Sequence, residues 1–316
     1  MANKQAKILV TGSVAYDRIM NFPGLFKNEI LPEKVHILNV SFLVNELKEG
    51  FGGTGGNIAY NLALLGLKPV LMANVGAKDF SFYQVWLKKH RIDLSALRVW
   101  PGQNTASAYI ITDQDDNQIS GFYPGAMSKP IIGNKFSLAG IKLAIISPQN
   151  PIDMIKLPLL FKQKKIDYIF DPGQQVTSLT GNQLCSAIAG SLVLIGNDYE
   201  INLISQKTKW SVDQLSGKTN TLITTLGSKG SIIRQGSKVY KIKSAKPKNS
   251  SDPTGAGDAY RAGLIYGLLH GWPLAKVGQF AGLVSVYTVE KYGTQTHQFT
   301  WTDLQNRYRR NFGQKL

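Results

Sequence analysis

Three small residues and a carboxylate, residues 255–258, stand together in the segment SDPTGAGDAYRAG, residues 251–263. Gly255, Ala256 and Gly257 leave the backbone bare, Asp258 follows at once, and the next residues have helical spacing. The first N–H groups of a helix lack partners inside it and attract anions. A carboxylate there can take a proton from a hydroxyl while those N–H groups stabilise a transferred phosphoryl group. The segment predicts phosphoryl transfer; its alternative interpretation is a tight turn with a capping Asp.

Two features of the N-terminal part suit a polyhydroxylated ligand. The segment EGFGGTGGNIAYNLALLG places Gly52 and Gly53 before a predicted helix and Asn57 within it, so a polyol can approach the bare backbone and bond to the amide. Asp17 follows the first predicted strand, and ligands of open α/β sheets bind beyond the carboxyl ends of strands. An ionised Asp17 there can hold two vicinal hydroxyls. A simple glycine-rich turn and a turn aspartate are the alternatives.

Two later segments also follow predicted strands. In IGNDYE, Asn197 and Glu200 have the spacing of a helix capping box, and the same pair suits Mg²⁺ and its waters near ATP phosphates. In TTLGSKG, a strand that ends at Thr225 runs into a turn with Gly227 and Gly230. This turn either lines a nucleotide site or is only a hairpin.

Other nucleotide and metal motifs are incomplete. Gly217-Lys218-Thr219 resembles the end of a P-loop, but Val212 stands where the first glycine is required. The first predicted strand ends in TGSVA without G-x-G-x-x-G, which disfavours a dinucleotide-binding oxidoreductase. None of the four histidines has metal-ligand spacing.

The order of elements predicts an α/β fold, a Rossmann-like sheet with helices on both faces. The predicted strands are Ile8–Ser13, Val70–Val75, Leu143–Ser147, Tyr168–Asp171, Leu192–Ile195 and Thr221–Thr225, with an edge hairpin of Ile232–Gln235 and Lys238–Ile242. The predicted helices are Gly56–Leu65, Phe80–His90, Ile155–Lys164, Asn182–Ala189, Tyr199–Ser205, Gly257–His270 and Leu274–Glu290. We expect one domain over residues 1–316.

Two stretches interrupt this alternation and predict a small β-sheet lid. Residues 18–48 include Val35–Val44, which has strand character, and residues 104–123 read as two strands around the turn Asp113–Asn117. A long insertion with strand character in a compact fold is usually functional, so we expect the lid to cover a site.

Composition bears on the kind of partner and on the cellular compartment. The formal net charge is +16, but the basic residues form no dense arm with interleaved aromatic residues, so nucleic-acid binding is disfavoured as the main function. Cys185 is the only cysteine and excludes an intrachain disulfide, which suits the cytoplasm. The sequence has no apolar run long enough for a membrane helix, and its start reads as a strand, not a signal peptide.

Taken together, FGGTGGN, NDYE and DPTGAGDA, with TTLGSKG between the last two, resemble the ribokinase-like (PfkB) family of carbohydrate and nucleoside kinases. The resemblance covers essentially the whole chain. It implies a ribokinase-like fold and a Mg-ATP-dependent kinase that phosphorylates a hydroxyl, with potassium as activator.

The resemblance assigns roles residue by residue. It makes Asp258 the catalytic base, and it makes Gly255, Ala256 and Gly257 the anion hole. The residues with implied binding roles are Asp17, Gly52, Gly53 and Asn57 for the acceptor, Thr225, Gly227 and Gly230 for ATP, Asn197 and Glu200 near Mg²⁺, and Asp252 and Thr254 for potassium.

The acceptor is the most open point. LPEKVHILNVSFLVNELKEGFGGTGGNIAYNLALLG and DDNQISGFYPGAM are similar to a bacterial branch of adenosine and broad nucleoside kinases, so a nucleoside, adenosine first, is favoured. Phe42, Tyr109, Phe122 and Tyr123 are candidates for the shelf under its base, or belong to the lid's own core. A ribokinase-like or fructokinase-like sugar kinase and, more remotely, a non-catalytic nucleoside or nucleic-acid binding protein are the alternatives. Homodimer formation through the lid is left open.

Overall fold

The computed structural model describes residues 7–30, 37, 39–115, 117–133 and 136–316. Within these residues the strands are β1 (Lys7–Thr11), β2 (Ala15–Asn21), β3 (Glu46–Gly52), β4 (Pro69–Met72), β5 (Asn74–Gly76), β6 (Arg98–Trp100), β7 (Ala106–Thr112), β8 (Gln118–Tyr123), β9 (Ile141–Ile146), β10 (Asp167–Phe170), β11 (Val193–Asn197), β12 (Thr221–Thr225), β13 (Ser231–Gln235) and β14 (Lys238–Ile242). The α-helices are α1 (Phe26–Glu29), α2 (Thr54–Leu64), α3 (Ser81–Lys89), α4 (Pro151–Gln163), α5 (Gly181–Ile188), α6 (Asp198–Thr208), α7 (Val212–Lys218), α8 (Ala256–Leu269), α9 (Leu274–Val289) and α10 (Trp301–Phe312).

The main sheet of the described chain has eight strands in the order β14-β13-β12-β11-β10-β9-β1-β4. Neighbours from β4 to β12 are parallel, and β12, β13 and β14 are antiparallel. Short runs such as TLIT and LAII are buried on both faces, as strands between two helical layers must be. The predicted α/β class, its sheet and its edge hairpin are confirmed.

Alternate residues of the six parallel strands of the main sheet belong to two separate cores. Ile8 and Val10 of β1 belong to the core that includes buried residues of α2, α3, α8 and α9, whereas Leu9 belongs to the core shared with α4, α5, α6 and α7. This alternation is the pleat of a strand expressed as packing. It fixes helices on both sides of the sheet and brings their N-termini to the carboxyl ends of the parallel strands.

The helix that carries Asp258 packs closely against its neighbour. A Cβ on Gly263 of α8 would lie 2.7 Å from Cα of Ala281 in α9, so only glycine permits this approach. Helix α8 also packs on α2. The small residues of both segments therefore let two helix starts meet at one edge of the sheet.

A second sheet has the strand order β3-β2-β7-β8, with β2 and β7 parallel and the other pairs antiparallel. The hairpin predicted within residues 104–123 is confirmed as β7 and β8. Oδ1 of Asp113 holds its turn by accepting hydrogen bonds from the N–H groups of Asp115 and Asn117, while Asp116 lies outside the described residues.

The strand predicted at Val35–Val44 is wrong for the residues that can be compared. Residues 31–36 and 38 lie outside the described residues, and Ile37 and residues 39–44 form no strand. β2 pairs instead with β3, whose polar sequence ELKEGFG leads directly into α2. Phe42 packs against Phe22 and Phe26 at ring distances of 4.9 and 5.0 Å, so its apolar character serves a small cluster and not a sheet.

The predicted helices are confirmed, with ends shifted by a few residues. Helix α4 begins at Pro151, before the predicted start at Ile155, because Asn150 caps the helix and Pro151 occupies its first position. The predicted strand Val70–Val75 is divided into β4 and β5, and β5 pairs with β6 in a two-stranded sheet. The sequence analysis predicts no helix at the positions of α1, α7 and α10. Across the described ranges, no helix combines the length and the apolar character needed to cross a bilayer.

Candidate active site

The start of α8 has the bare backbone that the sequence predicts. Gly255 precedes the helix with a φ of 77°, and a Cβ there would lie 3.0 Å from Cγ2 of Thr294. The N–H of Ala256 donates to the Pro253 carbonyl at 3.2 Å, and that of Ala259 donates to Gly255 at 3.0 Å. For Gly257 and Asp258 no N–H partner is found among the described residues. These two N–H groups are free to meet an anion.

Asp258 lies half-buried in this first turn and is held by α2. Nδ2 of Asn57 donates to Oδ2 of Asp258 at 2.8 Å, a contact between residues 201 positions apart. The pKa of Asp258 is raised to about 7, chiefly by burial and to a smaller extent by the charges of Asp171 and Asp17, against the lowering effects of the Asn57 hydrogen bond and the Arg261 charge. A carboxyl group with a pKa near neutrality is suited to general-base catalysis.

A buried ion pair that the sequence analysis missed stands beside Asp258. Arg261, one turn along α8, donates from Nε and Nη2 to the two carboxylate oxygens of Asp171, each at 2.6 Å. Its Nη1 donates to the Gly257 carbonyl at 3.1 Å. The pair ties the helix start to the end of β10. The only sequence signal was an Arg three positions after Asp258, and its partner is 90 positions away.

Asp17 lies on β2 with a half-buried carboxylate. Its pKa is raised to about 6, first by burial and then by the nearby charge of Asp252. A Cβ on Gly52 would lie 2.3 Å from Oδ2 of Asp17, so glycine at that position makes room for the carboxylate. Gly53 has a φ of 84°, and its backbone passes close to Ser13. No hydrogen bond to the Asp17 carboxylate is found in the described part of the chain, which leaves it available to a ligand.

Asn57 is buried and fully oriented. Its Oδ1 accepts a hydrogen bond from Nε2 of Gln295 at 2.9 Å, while its Nδ2 faces Asp258. Gln295 belongs to the segment YGTQTH, which the resemblance placed near the site without a role for any single residue. Asn57 therefore links Gln295 and Asp258 by hydrogen bonds, and Asp17 acts on Asp258 through its charge.

The nucleotide residues predicted from TTLGSKG line a groove of about 580 Å³. Thr225, Gly227 and Gly230 lie on one side of it, and Ala256 and Gly257 of the α8 start also line it. The rest of the lining includes apolar residues such as Ile242, Val286 and Val289, and it also includes three lysines, Lys229, Lys243 and Lys246. The groove joins the predicted nucleotide turn to the predicted anion hole.

Asn197 and Glu200 form the capping box that their spacing predicts. Oδ1 of Asn197 accepts from the Glu200 N–H at 2.7 Å, and Oε2 of Glu200 accepts from the Asn197 N–H at 2.8 Å. Burial raises the pKa of Glu200, the Asn197 N–H lowers it, and the charges of Asp171 and Arg261 act in opposite directions. Glu200 thus lies within electrostatic reach of the ion pair beside Asp258 but does not line the groove.

Asp252 and Thr254 fold back on the loop that precedes α8. Oδ1 of Asp252 accepts from the Thr254 N–H at 2.9 Å, and Oδ2 accepts from the Gly293 N–H at 3.0 Å. Asp252 thereby joins this loop to the YGTQTH segment. Within the residues described by the structure, no three His, Cys, Asp or Glu side chains gather as a metal-ligand set, so Glu200 and Asp252 do not share one.

A bare helix start, a carboxyl group of near-neutral pKa and a groove beside them define a phosphotransferase of the α/β class. The family model described as pfkB family carbohydrate kinase matches residues 5–301. The chain belongs to this family, whose members are ATP-using phosphotransferases that act on hydroxyl groups, and its fold is ribokinase-like.

Individual relatives are similar over nearly their whole lengths. The nucleoside kinase of Methanocaldococcus jannaschii is 31% identical over 97% of this chain and 98% of its own. A solved structure of Burkholderia thailandensis nucleoside kinase in complex with inosine is 36% identical, has a TM-score of 0.88, and covers 98% of this chain and 99% of its own. The same enzyme in complex with ADP-inosine is 37% identical with a TM-score of 0.85, and covers 98% of this chain and 97% of its own.

Proposed function

We propose that this protein transfers the γ-phosphoryl group of ATP to the 5′-hydroxyl of a nucleoside, with adenosine the first candidate. The observation that carries the proposal is the contact of Asn57 with Asp258 at a helix start whose free N–H groups border the groove. The similarity to two nucleoside kinases supports a nucleoside acceptor.

The acceptor's ribose is held between β2 and the start of α2. The half-buried Asp17 carboxylate accepts the two vicinal hydroxyls, since both of its oxygens are acceptors when it is ionised. The glycines at 52 and 53 let the sugar approach the backbone, and one N–H of Asn57 is still available beside Asp258. This placement directs the primary hydroxyl toward Asp258.

Strand register selects one lid aromatic for the base. Asp17 pairs with Ala108, and Ala108 pairs with Phe122, so these three residues share one face of the second sheet. Tyr109 and Tyr123 pair with Arg18 and Ser107 on the opposite face, where Arg18 donates to the Tyr109 hydroxyl at 2.8 Å. We assign the base shelf to Phe122, which is 53% exposed without a ligand. The second sheet acts as the lid.

ATP lies along the groove, with its phosphates toward Gly257. Asp258 removes the 5′-hydroxyl proton as that oxygen attacks the γ-phosphorus in line, and ADP leaves. The N–H groups of Gly257 and Asp258 stabilise the charge on the transferred group. Closure of the lid over the acceptor keeps water from the γ-phosphoryl group and limits ATP hydrolysis.

Two cations fit the donors present. Oε1 of Glu200 has no hydrogen-bond partner among the described residues and can bind the water shell of Mg²⁺, while Asn197 fixes the turn. Each carboxylate oxygen of Asp252 accepts one N–H and keeps a lone pair that can bind K⁺, beside Thr254. When bound, Mg²⁺ neutralises phosphate charge and K⁺ adds positive potential near the helix start.

The outer face of the lid suits a second copy of the chain. Leu47, Tyr109, Ile119 and Tyr123 share that face and are between 41% and 63% exposed, and within the described residues β3 and β8 are the two edge strands of the sheet. We propose a homodimer through this face. Light scattering after gel filtration should give twice the chain mass, and Ile119→Glu should give the monomer, whereas Phe82→Glu on α3 should not.

A single cysteine suits a reducing cytoplasm.

The test of function is a coupled assay of ADP release with Mg-ATP. The acceptors are adenosine, inosine, guanosine, cytidine, ribose and fructose, each with and without potassium. Turnover with nucleosides and none with free sugars is expected. Turnover with a free sugar alone would keep Asp258 and the family but replace the nucleoside with a carbohydrate. Absence of turnover with all six would overturn the proposal in favour of a binding protein.

A further inference from the structure

A chain of hydrogen bonds leads from an indole to Asp258. Nε1 of Trp86 in α3 donates to Oε1 of Gln295 at 3.0 Å. Nε2 of Gln295 donates to Oδ1 of Asn57 at 2.9 Å, and Nδ2 of Asn57 donates to Oδ2 of Asp258 at 2.8 Å. These hydrogen bonds join four elements that are far apart in the sequence, namely α3, α2, α8 and the segment before α10.

The indole fixes the direction of every bond in this chain. Trp86 offers a donor and no acceptor, so the atom of Gln295 that faces it must be the oxygen. The Gln295 amide nitrogen then faces Asn57, the Asn57 oxygen faces Gln295, and the Asn57 nitrogen faces Asp258. Reversing the Gln295 amide alone would set its nitrogen against the indole N–H and its oxygen against the Asn57 oxygen. Reversing the Asn57 amide alone would set its nitrogen against that of Gln295 and its oxygen against the Asp258 carboxylate.

The surroundings hold the chain rigidly. Gln295 and Asn57 are 3% and 4% exposed. The second N–H of Gln295 donates to the Tyr83 hydroxyl at 2.5 Å, and that hydroxyl donates to the Gly52 carbonyl at 2.8 Å. A Cβ on Gly56 would lie 2.2 Å from the Tyr83 hydroxyl oxygen, so glycine at 56 leaves the space that this network fills. Every donor of Gln295 is therefore used.

We propose that Trp86 is a positioning residue for phosphoryl transfer, because its N–H keeps the Asn57 amide donating to Oδ2 of Asp258 and leaves Oδ1 to take the acceptor's proton. Oδ1 has no hydrogen-bond partner in the described ranges of the chain. The proposal rests on the proposed role of Asp258 as the base. The charged groups that face Asp258, namely Arg261, Asp171 and Asp17, take no part in this series of hydrogen bonds, so they are unchanged when one of those bonds is removed.

Trp86→Phe keeps a ring and removes only the donor. Without it, Gln295 keeps only its contacts with Asn57 and the Tyr83 hydroxyl, and a hydroxyl can donate to the amide oxygen as well as accept from the amide nitrogen. The Gln295 amide can then rotate and Asn57 can turn its oxygen toward Asp258, which disfavours the ionised carboxylate. The acidic limb of the kcat–pH profile should then move upward by about one pH unit, the pKa equivalent of one lost charge-assisted hydrogen bond. At pH values below that limb kcat should fall about tenfold, and at high pH the two enzymes should converge.

Trp100→Phe is the matched control. Trp100 is half-buried like Trp86, and its Nε1 donates to Oδ1 of a buried asparagine, Asn74, at 3.0 Å, away from the site. It makes the same chemical change without touching the chain. Its kcat–pH profile should match that of the wild type.

Gln295→Met and the double variant test whether the two residues act through one chain. The upward shift of the limb in the double variant should equal that of Gln295→Met alone, since both changes interrupt the same path. Shifts that add would overturn the proposal. Thermal melting of each variant establishes that the folded protein is assayed.

A direct titration separates this proposal from the assignment of the base. With ¹³C-labelled aspartate carboxyl groups, the resonance lost in Asp258→Asn identifies Asp258, and its midpoint should rise in Trp86→Phe and not in Trp100→Phe. An unchanged midpoint would contradict the role of Trp86 even if Asp258→Asn were inactive. Full activity of Asp258→Asn would overturn the base assignment, while a raised midpoint in Trp86→Phe would still support the chain.

Discussion

At the scale of single residues, Asp258 combines three properties that a base needs. It lies at a helix start, it borders the predicted phosphate site, and burial raises its pKa to about 7. A group of such pKa is largely ionised at mildly alkaline pH and is still basic enough to accept a hydroxyl proton. Among the described residues, Asp153 and Glu200 also lie in the first turn of a helix and burial also raises their pKa, but neither lines the groove.

Asp258→Asn should lower kcat by ~10²- to 10⁴-fold, because the amide cannot accept the proton while the shape of the turn is retained. Steady-state kinetics with saturating ATP and nucleoside measures it. Asp213→Asn is the control, since Asp213 also lies in the first turn of a helix, α7, and is exposed to solvent. Equal kcat values for Asp258→Asn and the wild type would remove Asp258 from the mechanism.

At the scale of elements, the capping box of α6 and the proposed cation role of Glu200 make different demands. Glu200→Gln keeps an oxygen that accepts the Asn197 N–H but removes the charge. Its melting temperature should stay near that of the wild type, while the Mg²⁺ concentration for half-maximal rate should rise several-fold. Ser211→Ala, which removes the corresponding cap of α7, should lower stability by ~1 kcal/mol and leave the Mg²⁺ dependence unchanged. If the Mg²⁺ dependence of Glu200→Gln is unaltered, Asn197 and Glu200 serve only as the capping box of α6.

The register of the lid makes a second prediction at this scale. Phe122→Ala should raise the nucleoside KM about tenfold or more, since it removes the ring on Asp17's face that covers the base. Tyr123→Ala removes a neighbouring ring on the opposite face and should leave that KM close to the wild-type value. KM values for adenosine with both variants decide the matter, and the reverse order of effects would place the base on the other face.

Local patterns predicted most elements, and pairing across the chain explains what they missed. The small residues of α2 and α8 carry both helical spacing and their chemistry, so these segments were recognised from the sequence. The apolar alternation of Val35–Val44 predicted a strand, yet β2 pairs with the polar segment ELKEGFG, because a strand is selected by its partner and by the helix that follows. The contacts of Arg261 with Asp171 and of Gln295 with Asn57 join residues 90 and 238 positions apart, a separation that no local spacing reveals.

At the scale of the whole molecule, the site is held at a cost in stability. Asp17 and Asp258 are carboxyl groups whose pKa values are raised in the folded state to about 6 and about 7. The folded protein therefore binds more protons than the unfolded chain between the unfolded pKa, near 4, and these values. Stability attributable to these groups is present in full below pH 4 and is lost as pH rises through the folded pKa values.

The unliganded protein should therefore gain stability when Asp17 is replaced by an amide, and only at higher pH. Asp17→Asn removes a charge that burial and Asp252 disfavour, so at pH 8 it should raise the free energy of unfolding by ~1 kcal/mol, after allowance for partial solvent exposure. At pH 4 the wild-type carboxyl is largely protonated when folded, and the two proteins should unfold at the same denaturant concentration. Urea unfolding at both pH values measures the difference, and Asp198→Asn, on an exposed turn of α6, is the control. Asp17→Asn should also lose affinity for the acceptor, which would show that the group that binds the acceptor is the one that destabilises the folded protein. Equal stability of Asp17→Asn and the wild type at pH 8 would show that the Asp17 charge is not disfavoured in the folded protein.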